Sequence, residues 1–399
     1  MATVDLNDII RTGPGTLAGR YLRLFWQPIY RSRDLAPGHA VAVRLMGEDF
    51  TLYRGESGQA QLLASRCAHR GTLLSTGWVE GDCLRCFYHG WQYDADGQCV
   101  DQPGEDRGFA AKVRIASYPT REYLGLIFVY LGEGDPPEFR RFPDFEGPGV
   151  LEAGEPEYWP CNYFNRLDNA RDGAHVPWTH SESLRRTGAS RPVGAASSHA
   201  EETEYGIRSW SERQGKPSYY THFHMPNINQ NRSFARVEGS LEDAATLWVD
   251  RLFWRVPIDD ESCVSFVVDL VPLTGDEGEA YRQRRRQTEE SQRLPLRQIG
   301  DDILAGKMRI SDIGEDISIY KLFWIEDYVV QVGQGSVADR SRERLGRVDT
   351  GVLLLRKLWL RELKALAEDE PVKQWQSVSG RADSAATPAA RASAAAMPS

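Results

Sequence analysis

The sequence predicts an α+β fold, with an all-β first part followed by a second part that mixes strands and helices. Three observations carry this. Short apolar segments bounded by glycine dominate the first third; the pattern breaks at Gly132, Gly134, Pro136 and Pro137; beyond the break, strand-like and helix-like periods are interspersed. A chain of 399 residues has room for two or three domains of roughly 150 residues each.

The first strands are read from Val41, Val43 and Leu45, which alternate with other residues before Gly47, and from Phe50–Tyr53 and Ala60–Ala64, separated by Gly55 and Gly58. Leu124 to Leu131 reads as a buried strand, and the Gly/Pro break after it as a linker. From about Pro156, strands such as Ala245–Arg255 alternate with helical stretches, among them a charge-rich one from Asp276 to Met308 that contains Pro295. A late helix from about Gly351 to Ala367 carries Leu355, Leu358, Trp359 and Leu363 on one face, with Asp349 before it. The stretch Pro371–Ser399, rich in Ala, Ser and Pro, is expected to be a disordered tail. The expected domains are thus 1–145, which begins with an N-terminal extension, 146–370 and a tail, 371–399; no internal repeat is found.

Composition excludes several classes of function. With 41 % hydrophobic residues and 11 Trp the chain is globular. A net charge of −9 has the wrong sign for a generic nucleic-acid binder. No apolar run approaches the ~20 residues of a membrane-spanning helix, and Met1–Ile10 has no secretory pattern, so a cytoplasmic location is expected. Six Cys are too sparse for a disulfide scaffold, which turns attention to their spacing.

Cys67 and His69 form C-x-H, and Cys86 and His89 form C-x-x-H. Two short loops that each supply one thiolate and one imidazole suit a cluster whose two irons differ, one held by sulfur and one by nitrogen, as in a Rieske [2Fe–2S] centre. Replacing two anionic thiolates with neutral imidazoles raises the reduction potential relative to an all-Cys cluster. Gly71, Gly90 and Trp91 fit the tight turns and apolar cover such a cluster needs. A structural zinc site is the competing reading, because Cys83 and Cys86 also form C-x-x-C. Cys83, Cys99, Cys161 and Cys263 read as ordinary buried thiols.

The second constellation is Asn169, Asp172, His175 and His180, spaced N-x-x-D-x-x-H-x-x-x-x-H. On one helix His175 and His180 would diverge by about 140°, so Pro177 is expected to end the helix and let His180 swing back. Two convergent imidazoles and one carboxylate make the facial triad of non-haem Fe(II) oxygenases, with positions open for O2 and substrate. The carboxylate is sought in residues 314–335; Asp327 is preferred because it opens an apolar stretch, while Glu326, Asp316 and Asp312 stay open. His222 and His224 share one strand face and are candidates for the pocket wall, as are Arg208, Arg232, Arg251 and Asn227, an Arg suiting an aromatic carboxylate.

With both constellations in place, the sequence resembles the α subunits of Rieske non-haem iron aromatic-ring oxygenases, on the branch of phthalate 4,5-dioxygenase and the aromatic O-demethylases. The resemblance covers nearly all of residues 6–365 and is also carried by Arg11–Ile29, Trp254–Asp260 and Gln334–Val352. It implies a Rieske β domain followed by a helix-grip catalytic domain with an antiparallel sheet, in a head-to-tail homotrimer. It implies that Cys67, His69, Cys86 and His89 hold the cluster and that His175, His180 and Asp327 hold the iron. Asp172 would link His89 of one subunit to His175 of the next, with Asn169 supporting the site. Electrons would come from NAD(P)H through a separate flavin or ferredoxin reductase, and the substrate would be aromatic. A Rieske electron carrier without oxygenase activity and a zinc-stabilised binding module are the alternatives; neither a carrier nor a module needs the second constellation.

Overall fold

The computed structural model describes residues 4–106, 108–186, 197–213, 216–217, 220–235, 247–291 and 296–376. The first part holds three small antiparallel sheets. One pairs Ala40–Leu45, Glu48–Arg54, Ala60–Ala64 and Ser117–Tyr118, and a second pairs Trp78–Glu80, Cys83–Arg85, Gln92–Tyr93 and Cys99–Asp101. The third is Gln27–Arg31, Leu126–Val129 and Thr120–Tyr123. The apolar run expected as one strand from Leu124 starts two residues later. Leu124 and Gly125 both have positive φ, 51° and 77°, and form the two-residue turn of a hairpin, the geometry whose twist matches its strands.

The second part is built on a nine-stranded antiparallel sheet. Its path runs Val150–Ala153, Cys263–Val271, Leu247–Pro257, Ile228–Ala235, Thr221–His224, Gly206–Arg213 and Ser197–Glu202, with Glu157–Trp159 and Lys216–Pro217 alongside. All nine residues of Cys263–Val271 are buried, as in a strand covered on both faces. Helices Tyr163–Arg171 and Ile319–Val332 lie over the sheet face carrying Asn229 and Arg255; the opposite face packs Trp254 against Phe128 and Phe142 of the first part. The charge-rich stretch forms two helices, Gly275–Ser291 and Leu296–Leu304, with Pro295 in the segment outside the described residues.

Two segments near the expected boundaries take part in the packing. Residues 4–24, assigned to the first domain, pack on the second: Tyr21 lies edge-on to Trp359 at 5.1 Å, and the Tyr163 hydroxyl donates to the Ile9 carbonyl at 2.7 Å. Their apolar residues Ile9, Tyr21 and Leu22 are fully buried there, because the C-terminal helix Thr350–Ala367 offers an apolar stripe to cover. The ordered chain also runs past 371. Trp375 is buried and its indole N–H donates to the Tyr21 hydroxyl at 2.9 Å; residues 377–399 of the expected tail lie outside the described residues. No helix among the described residues is long and apolar enough to cross a membrane.

Candidate metal centres

The cluster motif occupies two loops with one backbone design. In the first, the Gly71 amide donates to the Cys67 carbonyl (2.9 Å) and the Cys67 amide to the Thr72 carbonyl (2.9 Å). In the second, Gly90 donates to Cys86 (3.1 Å) and Cys86 to Trp91 (2.8 Å), the same two links at the same offsets. Gly71 and Gly90 sit at φ 74° and 75°, a conformation that strains any residue with a Cβ. The loops project from the sheet Trp78–Asp101 over a small core that includes Leu63, Leu74, Leu84, Trp91 and Tyr93.

This design turns the thiols in and the imidazoles out. Cys67 and Cys86 are buried, and the Tyr93 hydroxyl lies 3.2 Å from the Cys67 sulfur. Burial pushes the Cys86 thiol up, and backbone N–H groups of Tyr88 and His89 act in the other direction, toward thiolate. His69 is exposed and His89 partly so; their rings are 4.4 Å apart, and His69 stacks on Trp91 at 4.6 Å. Among the described residues only His175, His180 and Asp327 bring three ligand atoms within 4.8 Å of one another. The two Cys and two His are thus spread more widely than one tetrahedral zinc with bonds of ~2.0–2.3 Å allows, while buried sulfurs beneath rim imidazoles suit a two-iron cluster.

The second constellation folds differently from the helix expected. Helix Tyr163–Arg171 ends at Asp172, whose backbone is extended and whose carboxylate accepts from the amides of Ala174 (2.9 Å) and His175 (3.3 Å). A new turn, Val176–Thr179, then starts with Pro177 in its first positions. Pro177 therefore begins a helix rather than ending one, since the first turn needs no donor there and favours its fixed φ. The break at Asp172 brings His180 back beside His175, with ring centroids 5.5 Å apart.

Asp327 on helix Ile319–Val332 completes the group: its Oδ1 lies 3.8 Å from His175 Nε2 and 3.6 Å from His180 Nε2. Each imidazole is held from behind. His175 Nδ1 faces the Asp172 carbonyl, and His180 Nδ1 faces Glu326 Oε2 at 3.0 Å. Both contacts place the proton on Nδ1 and leave the Nε2 lone pairs aimed at Asp327, the tautomer a metal requires. Glu326, open as a ligand from sequence, lies about 100° round the helix from Asp327 and is fully buried. It also accepts from the Ser183 amide (3.1 Å) and hydroxyl (2.7 Å). Asp312 and Asp316 are exposed and outside the group. Asn169 donates to Asp327 Oδ1 at 3.3 Å.

The other expected pocket residues have partners of their own. His222 and His224 share a face, as anticipated, but it is the opposite one. Phe223, between them, pairs with Asn229 on the helix-covered face, while His222 meets Tyr205 (2.6 Å) and His224 meets Gln230 (2.8 Å) and Phe142. Burial pushes His224 down to about 3, so it is neutral. Arg208 pairs with Glu201, Arg232 with Asp250 and Arg251 with Asp269, and Asn227 donates to Gln27 and the Arg255 carbonyl. Cys83 is half-buried; Cys99, Cys161 and Cys263 are buried and free.

Comparison with known proteins bears on both centres. Residues 25–119 match the model of the Rieske [2Fe–2S] domain. The chain is 31 % identical over 382 residues to the 5,5'-dehydrodivanillate O-demethylase oxygenase subunit of Sphingobium sp. (strain NBRC 103272 / SYK-6), covering 94 % of this chain and 83 % of that one. The chain belongs to the Rieske non-haem iron oxygenases. The phthalate 4,5-dioxygenase oxygenase subunit of Pseudomonas putida is 29 % identical, covering 88 % of this chain and 84 % of that one. Among solved structures, NdmA of Pseudomonas putida CBB5 shares the fold with a TM-score of 0.63 at 21 % identity, covering 91 % of this chain and 100 % of that one. As a Rieske oxygenase the chain is an oxidoreductase, the terminal oxygenase subunit of a multicomponent system, using a Rieske [2Fe–2S] cluster, non-haem Fe(II) and O2.

Proposed function

We propose that this Rieske oxygenase hydroxylates or O-dealkylates an aromatic substrate, with Cys67, His69, Cys86 and His89 holding the cluster and His175, His180 and Asp327 the iron. Electrons come from NAD(P)H through a separate flavin or ferredoxin reductase, and the protein works in the cytoplasm as a head-to-tail homotrimer. The domains are a cluster-bearing part up to about residue 145, whose N-terminal extension packs on the iron-bearing part that follows it. The observation that carries the reading is the convergence of His175 Nε2, His180 Nε2 and Asp327 Oδ1, each imidazole fixed from behind. When bound, the cluster relays single electrons and the iron activates O2. The residues of the chain hold the ligand tautomers, and His180 is buried against Glu326. Relatives act on dehydrodivanillate and phthalate by their names, which supports the aromatic substrate. Incubation of the holoenzyme with a surrogate reductase, NADH and a panel of aromatic acids and methyl ethers, scored by product mass, tests it.

Glu326 supports the iron through His180, so Glu326→Gln keeps the buried contact but removes its charge. The expected outcome is iron binding weakened about 10- to 100-fold with the cluster spectrum unchanged, read by titrating Fe(II) into protein that carries only its cluster. Unchanged iron affinity would mean that Glu326 serves packing alone.

Both half-sites carry exposed aromatic surface, which supports the trimer. Trp78, Phe87 and Tyr88 are 50–60 % exposed around the cluster loops, and Trp178 is 63 % exposed between His175 and His180. Large exposed aromatics grouped at a functional site mark contact surfaces. Trp178→Asp is expected to shift the protein from trimer to monomer by light scattering, with both metals retained and turnover lost. A variant that stays trimeric would place the seam elsewhere.

A further inference from the structure

Arg171 is the last residue of the helix that leads into the iron-bearing turn, and its side chain lies on the sheet rather than toward the metal ligands. It is 4 % exposed. Its hydrogen-bond partners are Ser209 Oγ and Asn229 Oδ1, each at 3.4 Å, long for a hydrogen bond and both uncharged, and its guanidinium lies 5.5 Å from the Phe223 ring centre. Among the described residues Nε has no hydrogen-bond partner, and no carboxylate forms an ion pair with this guanidinium. A buried guanidinium without an anion is costly, and burial pushes Arg171 down to about 10. The strand residues chosen from sequence are different: Arg208, Arg232 and Arg251 each have an acid beside them. Arg166 and Arg255, also deeply buried with an unpartnered Nε, both have Glu157 beside them, at 3.9 and 4.0 Å. Two residues beyond Asn229 on the same side of its strand, Asn231 Oδ1 is buried without a donor, so unfilled polar positions continue along this face.

We propose that Arg171, flanked by Ser209 and Asn229, is the anchor for a carboxylate group of the substrate. The inference rests on the oxygenase reading and deepens it. The fork of Nε and a terminal nitrogen matches a carboxylate bidentately. The next residue, Asp172, carries the carbonyl that holds His175, so an acid gripped here lies beside the turn that carries both imidazoles. Ring-bound acids are thereby favoured over their neutral amides and esters, and the charge left uncompensated in the free enzyme is balanced when substrate is present.

The test is thermal unfolding of the iron- and cluster-loaded enzyme with benzoate, phthalate and 4-hydroxybenzoate, each against its neutral amide. The native protein is expected to be stabilised by at least one acid. Arg171→Met, which replaces an unpaired buried charge by an apolar chain of similar length, is expected to melt no lower than the native protein without ligand and to bind that acid about 10- to 100-fold more weakly. The amide should act equally on both proteins. Arg171→Lys keeps the charge without the fork and should show the same loss of acid binding, which covers the case of a Met variant that does not fold. Acid binding unchanged in the variants, or no acid stabilising the native protein, overturns the proposal. So does a Met variant that folds but melts well below native, which would make Arg171 a structural residue. Native protein without mononuclear iron would overturn the oxygenase reading instead, a result read from metal analysis and independent of the acid response.

Discussion

Asp327→Ala is expected to remain red-brown and to turn over no substrate. Among the described residues its carboxylate is the only acid in the group formed with His175 Nε2 and His180 Nε2, at 3.8 and 3.6 Å. Glu326, one residue away, is fully buried on the far side of His180 and bound to Ser183; bringing it forward would break three hydrogen bonds. Two neutral imidazoles alone hold Fe(II) poorly, because a carboxylate supplies both charge and the third facial position. The cluster loops lie in a separate small core, so the two cluster irons and two acid-labile sulfides should stay. Iron and sulfide analysis with the visible spectrum reads both parts at once. The expected result is loss of one iron per chain and product formation at background. A variant with its full iron content would remove Asp327 from the ligand set. Asn169, whose amide now donates to Asp327, would then lose its partner as well.

The sequence disclosed local chemistry better than facing. The cluster loops could be read because all their determinants are local: a Cys, its His and the glycine that closes the turn lie within five residues of one another in each loop. The His175 and His180 pair is legible from spacing, but the residue that makes them converge is not. Asp172 breaks the helix through two side-chain-to-backbone bonds, whereas Pro177 opens the next turn. Glu326 and Asp327 are neighbours in one helix, and which of them meets the imidazoles depends on how that helix rolls against Tyr163–Arg171, a tertiary matter. The strand arginines were attractive because their segments could face the pocket. What disqualifies them is the acid beside each, at Glu201, Asp250 and Asp269, which only the register of pairing reveals. Arg171 lies inside the motif itself. Its only signal in the sequence is a long cationic residue one position before the helix-breaking Asp172.

Asp172→Asn should separate assembly from electron delivery. In this chain the Asp172 Oδ1 caps the turn by accepting from Ala174 and His175, while the Asp172 carbonyl, not the carboxylate, receives His175 Nδ1. An Asn can present its carbonyl oxygen to the same two amides, so the turn, the His175 tautomer and therefore the iron should survive. The change falls on the second carboxylate oxygen, which has no hydrogen-bond partner among the described residues and, in the proposed head-to-tail trimer, would face His89 of a neighbouring subunit. An amide there carries no charge, and its NH2 is a donor where an acceptor is needed. The expected result is normal iron and sulfide content, an unchanged melting temperature within about 2 °C, and product formation reduced by at least about 100-fold, the scale for loss of one precisely placed group. Stopped-flow spectra should show a pre-reduced cluster that stays reduced when O2 and substrate are mixed in, where the native cluster reoxidises. If the Asn variant instead loses iron, Asp172 acts by holding the turn, and the route between the centres must run through other groups. If it turns over normally, a carboxylate is not needed between His89 and His175, and the head-to-tail arrangement loses its main chemical support.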